Sequence, residues 1–563
     1  MPLSGMKNRL LTRIKAVRSV RKMGKRIVSL FGILIVLFSF MIWRLSWLIR
    51  KEDFAQAAAR QSTYTLEVCQ SRGVIYDCQG QRLVNDQFRY LAAVLPSNES
   101  AATLRSQFAS ANLWREQMSS RAPFLLEVDT DAVQGENVEV FSVPERYSMD
   151  YTAVHIVGYV DADGVGQTGI ERIYQDFLER SGEKIKVRYQ IDAIGRALTG
   201  SGVEILREGN PSDGVVLTLH KGLQQACERI LSGAGVKGAI LVMDLADGGL
   251  RAVASAPGFD PRNVAGSMDD PDSPLINRAL GAYAVGSTFK LLIAAAALEQ
   301  GISPKQTYTC DGWLDINGQI FKCNQLAGHG EIDMEQAIAH SCNCYFIQLA
   351  RQIGAQSLRE MAIRFGFSQA DMLAETLQTA KGTLPDAEQL ENPAELANFG
   401  FGQGLLTATP VQICKMLAAI ADGGKLLSPR LIEGIYTNGT LQKEASFSAN
   451  QVLSEKTAGL LREFMKTVVR EGSGKLAIPK TGGAGGKTAS AQTGIFDEQG
   501  EEIVHAWFGG FYPEKDPRFA IVVFVENGQS GNQVAAPLFS QVADSLWGLG
   551  LAQSGEKQTI MVE

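Results

Sequence analysis

The longest charge-free apolar run stands near the start of the chain. Ile27 to Trp43 (IVSLFGILIVLFSFMIW) holds no charged residue, and beyond Arg44 the apolar character continues through LSWLI to Ile49. About 20 helical residues at 1.5 Å each span the hydrocarbon core of a bilayer. A cleaved signal peptide has a shorter apolar region followed by small residues. Here Trp43, Arg44 and Trp47 follow, which suits a membrane interface. The run is expected to be an uncleaved transmembrane anchor over 27–49. The Ala- and Gln-rich stretch 50–68 reads as a helix leaving it. From Cys69 the pattern turns to short β-branched runs, with 72–84 (RGVIYDCQGQRLV) reading as a hairpin. Residues 100–135 read as helical, FSVPERYSM and VHIVGYV as strands, GVGQTGIERIYQDFLERSG as a loop opening a helix, and 184–210 as alternating strands. The turn cluster GNPSDG (209–214) marks a boundary. Then come a strand and helix (VVLTLHKGLQQACERIL), a hairpin over 238–257, amphipathic helices over 287–470, two strands (HAWFGGFYP, FAIVVFVEN) and a last helix, APLFSQVADSLWGL. Strands at both ends with helices between predict one mixed sheet flanked by helices.

Length changes this picture little: 563 residues, 45% hydrophobic and 20% charged, imply two or three globular domains. Charge changes it more. Residues 1–26 hold nine Lys/Arg and no acid, so the net charge of -6 leaves -15 for the remainder. By the positive-inside rule the basic end stays in the cytoplasm and 50–563 face outward. The acidic body argues against nucleic acid as a partner. Eight cysteines on the oxidising side permit disulfides. Cys310 and Cys323, flanking DGWLDINGQI, are the candidate pair, with free buried thiols as the alternative. The Cys342–Cys344 pair lacks a second Cys/His cluster at metal spacing, and His155, His220, His329, His340 and His505 show no triad or metal pattern. No metal and no cofactor are therefore expected.

Three short elements carry chemistry. In GAYAVGSTFKLLIAAAALEQG, Ser287 opens an Ala/Leu-rich helix and Lys290 follows three residues on, on the same face. A serine needs a base to become a nucleophile, and a lysine serves as one when burial or a nearby cation lowers its pKa. The helix start also offers free N–H groups to an oxyanion. In HSCNCYF, Ser341 can relay a proton and Asn343 can hold a peptide group. In GGKTASAQTG, Lys487 and Thr488 place a cation beside a hydroxyl, suited to a substrate carboxylate. Each element alone is weak. Serine N-caps, turn asparagines and edge-strand lysines are common. In the order SxxK, SxN, KT-small they match the set of penicillin-binding proteins and class A β-lactamases.

With those residues the chain resembles a class B penicillin-binding protein of the division, elongation or sporulation type, over nearly the whole of 50–563. RGVIYDCQG is similar to the family's R-G-x-I-x-D-R-x-G, with Cys78 where Arg is usual. YVDADGVGQTGIERIYQDFL, VVLTLHKGLQ, FGFGQGLLTATPVQICKMLAAIADGG and GNQVAAPLFSQV resemble further family stretches. The resemblance implies a mixed α/β protein. It would have a basic tail (1–26), the anchor (27–49), an elongated mostly-β pedestal of dimerisation type (50–210), a transpeptidase domain with a central antiparallel sheet flanked by helices (211–552), and a short tail (553–563). It also implies a peptidoglycan D,D-transpeptidase. Ser287 would be the nucleophile, Lys290 the acylation base and Ser341 the proton relay. Asn343, Lys487, Thr488, Ala489 and Ser490 would bind substrate, and the backbone N–H groups of Ser287 and Ser490 would form the oxyanion hole. Substrates would be D-Ala-D-Ala stem peptides, β-lactams would be inhibitors, and partners would be the membrane, a polytopic membrane glycosyltransferase and other division or elongation proteins. The third motif departs from the family's K-T-G-T at Ala489. A literal K-T-G at Lys480-Thr481-Gly482 is set aside, because Ser490 and the Trp507–Phe508 strand keep register with Lys487 and Pro479 suits a loop. Two rivals share the residues. A β-lactamase or β-lactam sensor would share the serine site; the hydrolase also needs a water-activating base, which the sequence does not identify, with Glu391 and Glu395 before the GQG loop left open. A catalytically silent scaffold is favoured by Ala489 and Cys78.

Overall fold

The computed structural model describes residues 4–49, 63–107, 112–120, 122–133, 135–192, 198, 203–444 and 448–553. The chain begins with one helix, α1 (Ser4–Ile49), of 46 residues. Its Arg21–Leu48 stretch has a mean hydropathy of 2.3 and no buried share, so it is long and apolar enough to cross a membrane.

Two compact units divide the chain, and both are discontinuous. One gathers Met1–Cys69, Tyr90–Ser142 and Ile185–Arg207, the other Gln70–Arg89, Val143–Lys184 and Glu208–Glu563. The first unit is mostly β. One three-stranded sheet joins Thr63–Gln70, Lys184–Gln190 and Val203–Glu208, and a second joins Phe124–Val128, Gln87–Val94 and Val138–Glu145. The second sheet packs Ala92, Val94, Val128 and Val138 around Trp114 and Leu104. Two expectations fail here. Residues 63–68, read as helix, are strand, while 50–62 lie outside the described residues. The supposed helix over 100–135 splits into Asn98–Gln107 and Asn112–Ser119 and then gives way to the strand Phe124–Val128, which pairs with Tyr90–Val94. Pairing with a distant partner outweighs local pattern in such short apolar runs.

In the second unit VHIV (Val154–Val157) is a short helix where a strand was expected. Ala153 takes a left-handed φ of 54°, and its carbonyl accepts from Ile156 and Val157. Two of the family-like stretches meet close by. Glu171, from GIERI, is fully buried and accepts from Arg72 Nε (3.1 Å), Arg146 Nε (2.6 Å) and Tyr147 Oη (3.0 Å).

The centre of this unit is a five-stranded sheet: β1 (Gly238–Asp244), β2 (Leu250–Ala256), β3 (Gly485–Phe496), β4 (Glu502–Tyr512) and β5 (Phe519–Val525). The spatial order is β2-β1-β5-β4-β3, with every pairing antiparallel, so β3 lies at the edge. The chain thus builds one sheet from its two ends, and it is antiparallel throughout rather than mixed. Successive side chains of a strand point to opposite faces. Ile240 and Val242 enter one core with Leu223 and Phe539; Leu241 and Met243 enter the other with Leu291 and Leu417. The segment 287–470 is not helical throughout. It holds the hairpin Trp313–Ile316/Gln319–Lys322, turned by Asn317-Gly318 with φ of 55° and 88°. Asn-Gly is a strong two-residue hairpin signal, here hidden among amphipathic helices.

Removing a buried carboxylate that two arginines share leaves uncompensated charge, at a cost of about 3–5 kcal/mol. Glu171→Ala is expected to destabilise the second unit by that amount in denaturant unfolding. A change below about 1 kcal/mol, the scale of a surface pair, would show that the clamp contributes little.

Candidate active site

The site forms where a helix start meets the edge strand. Gly286–Phe289 makes a 3-10 turn that runs into α2 (Lys290–Glu299), whose residues 290–297 are all buried. Alanines at 294–297 let this helix pack on every side. Gly286 has φ +65°, and a Cβ on it would lie 3.1 Å from Ala491 Cβ and 3.2 Å from Ala489 Cβ of β3. Its N–H donates to Gly402 O (2.9 Å), and a Cβ on Gly402 would meet Gly286 O at 2.0 Å. Both glycines are therefore required by close approach as well as by φ. Ser287 is thereby held half-buried at the foot of a cavity of about 210 Å³, whose walls include Ser341, Asn343, Thr488, Ala489 and Ser490.

Lys290 lies fully buried beneath this cavity. Its Nζ donates to Ser341 O (2.7 Å), Asn343 Oδ1 (2.7 Å) and Ser341 Oγ (3.2 Å). Lys487, on β3 opposite Gly509, is also fully buried, and its Nζ donates to Ser341 Oγ (2.9 Å) and Thr488 O (2.9 Å). The hydroxyl that both amines share is thus Ser341. Ser341 has φ +57°, a strained value for a residue with a Cβ, and it turns the chain into α3 (Asn343–Ile353). Asn343 is fixed at its other end, Nδ2 donating to Lys322 O (3.0 Å). Burial pushes the Lys290 amine down to about 8, opposed by the charges of Cys342, Cys323 and Cys344. Burial, and after it the Lys290 charge, hold Lys487 well below the usual lysine range. Thr488 Oγ1 lies 2.9 Å from Ser473 Oγ, Ala489 is 2% exposed, and Ser490 is exposed, with its Oγ accepting from Gly531 N (3.2 Å). The literal K-T-G is elsewhere: the Lys480 side chain is 89% exposed and nearest Asp544. Glu391 and Glu395 do not line the cavity, and among the described residues no carboxylate does.

Two features of the site carry no signal in the sequence. Ser473, in the loop after the helix Glu455–Arg470, lines the cavity, and an isolated loop serine has no pattern to betray it. The second is a corner of soft ligands. Cys310, Cys323, His329 and Cys342 bring one ligand atom each to within 4.8 Å of one another. This overturns the expectation that these residues assemble no metal arrangement, because the fold joins four separate stretches that spacing could not relate. The disulfide considered between Cys310 and Cys323 is not formed, and no disulfide joins any pair of the described cysteines. Zn²⁺ with three thiolates and one imidazole is tetrahedral, with bonds of about 2.3 Å to sulfur and 2.0–2.1 Å to nitrogen. Its edges are then roughly 3.8 Å between sulfurs and 3.6 Å between sulfur and nitrogen. Cys323 Sγ and Cys342 Sγ are 3.8 Å apart, and His329 Nδ1 is 3.5 Å from Cys310 Sγ and 3.6 Å from Cys323 Sγ. The four residues fit the ion. As a closed site it would supply rigidity and no open coordination position. Its rigidity would bear on catalysis directly, since Cys342 lies between Ser341 and Asn343 and Cys323 follows Lys322, whose carbonyl holds Asn343.

Paired amines beside a helix-borne serine and an edge strand place the protein in the penicillin-recognising serine class. The family model for the penicillin binding protein transpeptidase domain matches residues 238–544. The chain belongs to that family, and to its class B, as the proteins similar to it along nearly their whole length show. It is 28% identical to Stage V sporulation protein D of Bacillus subtilis, covering 93% of this chain and 85% of the relative. It is 26% identical to the peptidoglycan D,D-transpeptidase MrdA of Salmonella typhimurium, covering 93% and 96%. Among solved structures it is similar to the D,D-transpeptidase domain of a peptidoglycan glycosyltransferase from Eggerthella lenta (26% identity, TM-score 0.63, 86% of this chain, 100% of that one). It is also similar to a chain of a peptidoglycan synthase complex coordinating polymerization and crosslinking (25%, TM-score 0.67, 94% and 99%).

Full-length protein purified without chelators is expected to carry about one zinc per chain, and Cys323→Ser with Cys342→Ser to lose it together with thermal stability. Zinc-free wild type with an unchanged melting temperature after chelation would reject a metal at this corner.

Proposed function

We propose that this chain is a peptidoglycan D,D-transpeptidase acting through a Ser287 acyl-enzyme. The observation that carries the reading is the convergence of two buried, pKa-depressed amines on Ser341 Oγ, beside the cavity that Ser287 opens. Ser287 Oγ attacks the carbonyl of the penultimate D-Ala, and the bond to the terminal D-Ala nitrogen breaks. Lys290, as free amine, takes the serine proton. Ser341, touching both amines, passes a proton to the leaving nitrogen. The developing oxyanion is met by the N–H groups of Ser287 and Ser490, the first at a helix start, the second on an edge strand. Lys487 supplies positive charge behind Thr488 for the terminal carboxylate, and Asn343 orients Lys290 and the stem peptide. An amine of a neighbouring stem peptide then attacks the ester, releasing Ser287. A β-lactam acylates the same oxygen.

A hydrolytic β-lactamase is disfavoured because, among the described residues, no carboxylate lines the cavity to activate water. The silent-scaffold reading is disfavoured because the reacting groups are assembled and Ala489 turns its methyl into the core, leaving the cavity clear. The basic N-terminal flank supports an orientation with the start of α1 in the cytoplasm and residues 50–563 outside. Similarity to a chain of a synthase complex supports a membrane glycosyltransferase as partner, acting with division or elongation proteins.

Ser287→Ala is expected to abolish covalent labelling by a fluorescent penicillin, and the wild type to open nitrocefin without rapid turnover. Labelling that survives the substitution would remove Ser287 from the mechanism. The active base is the free amine, so the acylation rate should rise with pH, with a midpoint near 8 set by Lys290. A rate flat from pH 6 to 9 would contradict a lysine base.

A further inference from the structure

The site as described leaves the carboxylate end of the cavity incomplete. Lys487 is 0% exposed, and its hydrogen bonds go to Ser341 and Thr488 O. A ligand in the cavity therefore cannot reach the ammonium first; it meets hydroxyls on the wall, with the charge behind them. Thr488 is the nearest of these to Lys487 in the chain. A threonine hydroxyl rotates freely and does not by itself present its proton to a ligand. In this protein it is paired. Ser473 Oγ stands 2.9 Å from Thr488 Oγ1, and both residues line the cavity.

We propose that Ser473 is a positioning residue for the substrate carboxylate: its hydroxyl donates to Thr488 Oγ1 and so turns the Thr488 proton into the cavity. The pair has two protons and makes one mutual hydrogen bond, which leaves one proton to give. The direction follows from what surrounds each oxygen. Thr488 carries the Lys487 ammonium on its own carbonyl, so an anion is best received on the Thr488 side, and Ser473 is left to donate inward. The loop is built to hold the serine still. Ser473 N–H donates to Ala339 O at 2.9 Å, and a Cβ on Gly472 would meet the same oxygen at 2.4 Å. Ala339 is two residues before Ser341. The loop that positions Thr488 is therefore tied to the backbone leading to the relay serine, and both ends of the cavity share one support.

This inference rests on the transpeptidase reading, because it needs a substrate with a terminal carboxylate. The test uses the full-length protein in detergent with two acyl donors, N-benzoyl-D-alanyl-thioglycolate and its methyl ester. They share the scissile thioester and differ in the carboxylate. Loss of one neutral hydrogen bond corresponds to roughly a five- to tenfold effect. Ser473→Ala is expected to raise KM for the acid by about that factor, with kcat changed less than about twofold, and to leave kcat/KM for the methyl ester as in wild type. Ser473→Thr, which keeps the hydroxyl, should restore the acid. Equal losses on both donors, or no loss on either, would overturn the proposal; the first would mean that Ser473 only shapes the loop. A wild type that turns over neither donor and takes no penicillin label would instead sink the transpeptidase reading beneath it.

Discussion

Two buried amines converge on a single hydroxyl, beside a cavity lined by no carboxylate among the described residues, and burial works against both keeping their protons. Removing a charge from water costs several kcal/mol unless it is paired. Lys290 has three oxygens around it and none is an anion. Burial accordingly drives it to about 8. At pH 7 roughly one such amine in ten is free, against about one in three thousand for an ordinary lysine. That difference of about 3 kcal/mol is what converts a structural lysine into a base. The same burial puts Lys487 beyond the reach of ligands, so its charge acts through the hydroxyls on its strand.

Such close convergence demands small residues. Gly286 sits against Ala489 and Ala491, Gly402 against Gly286, and a Cβ on Gly531 would meet Ala489 O at 2.3 Å. The nucleophile turn and the start of the last helix thus press on one edge strand, and the Gly-Gln-Gly loop backs the nucleophile turn. Ala489 belongs to this set. Its methyl points into the packing against Gly286, which explains how the third motif accepts alanine: the added carbon occupies core and not cleft. The cost is a tighter pair, with neither position free to grow.

Much of this was legible beforehand. Ser287, Lys290, Ser341, Asn343, Lys487, Thr488, Ala489 and Ser490 are brought together by the fold, because motifs on a helix start and a strand carry their own local geometry. The central strands were legible too, since 238–244 and 519–525 are apolar runs bounded by turns. Weaker segments were not. Phe124–Val128 becomes strand through a partner some 30 residues upstream, and Val154–Val157 becomes helix through one left-handed alanine. Lys290 also finds partners beyond its own helix. Helical spacing puts Ser287 and Lys290 on one face, yet the amine turns to oxygens from a stretch 51 to 53 residues away.

The cysteine corner was missed for the same reason, and it shows how the catalytic centre is kept in place. A relay serine in a left-handed conformation and an asparagine at a helix start are not stable positions by propensity alone. Something must over-determine them. From the front, the Ser341 hydroxyl is held by the two amines it serves. From behind, Cys342 joins Cys310, Cys323 and His329, and the hairpin carrying Cys323 also offers Lys322 O to Asn343. Catalytic groups need placement to within about half an ångström, and a second layer of contacts secures it. In this protein that layer is a cluster of thiols and an imidazole, so the strain at Ser341 is borne by residues that never meet the substrate.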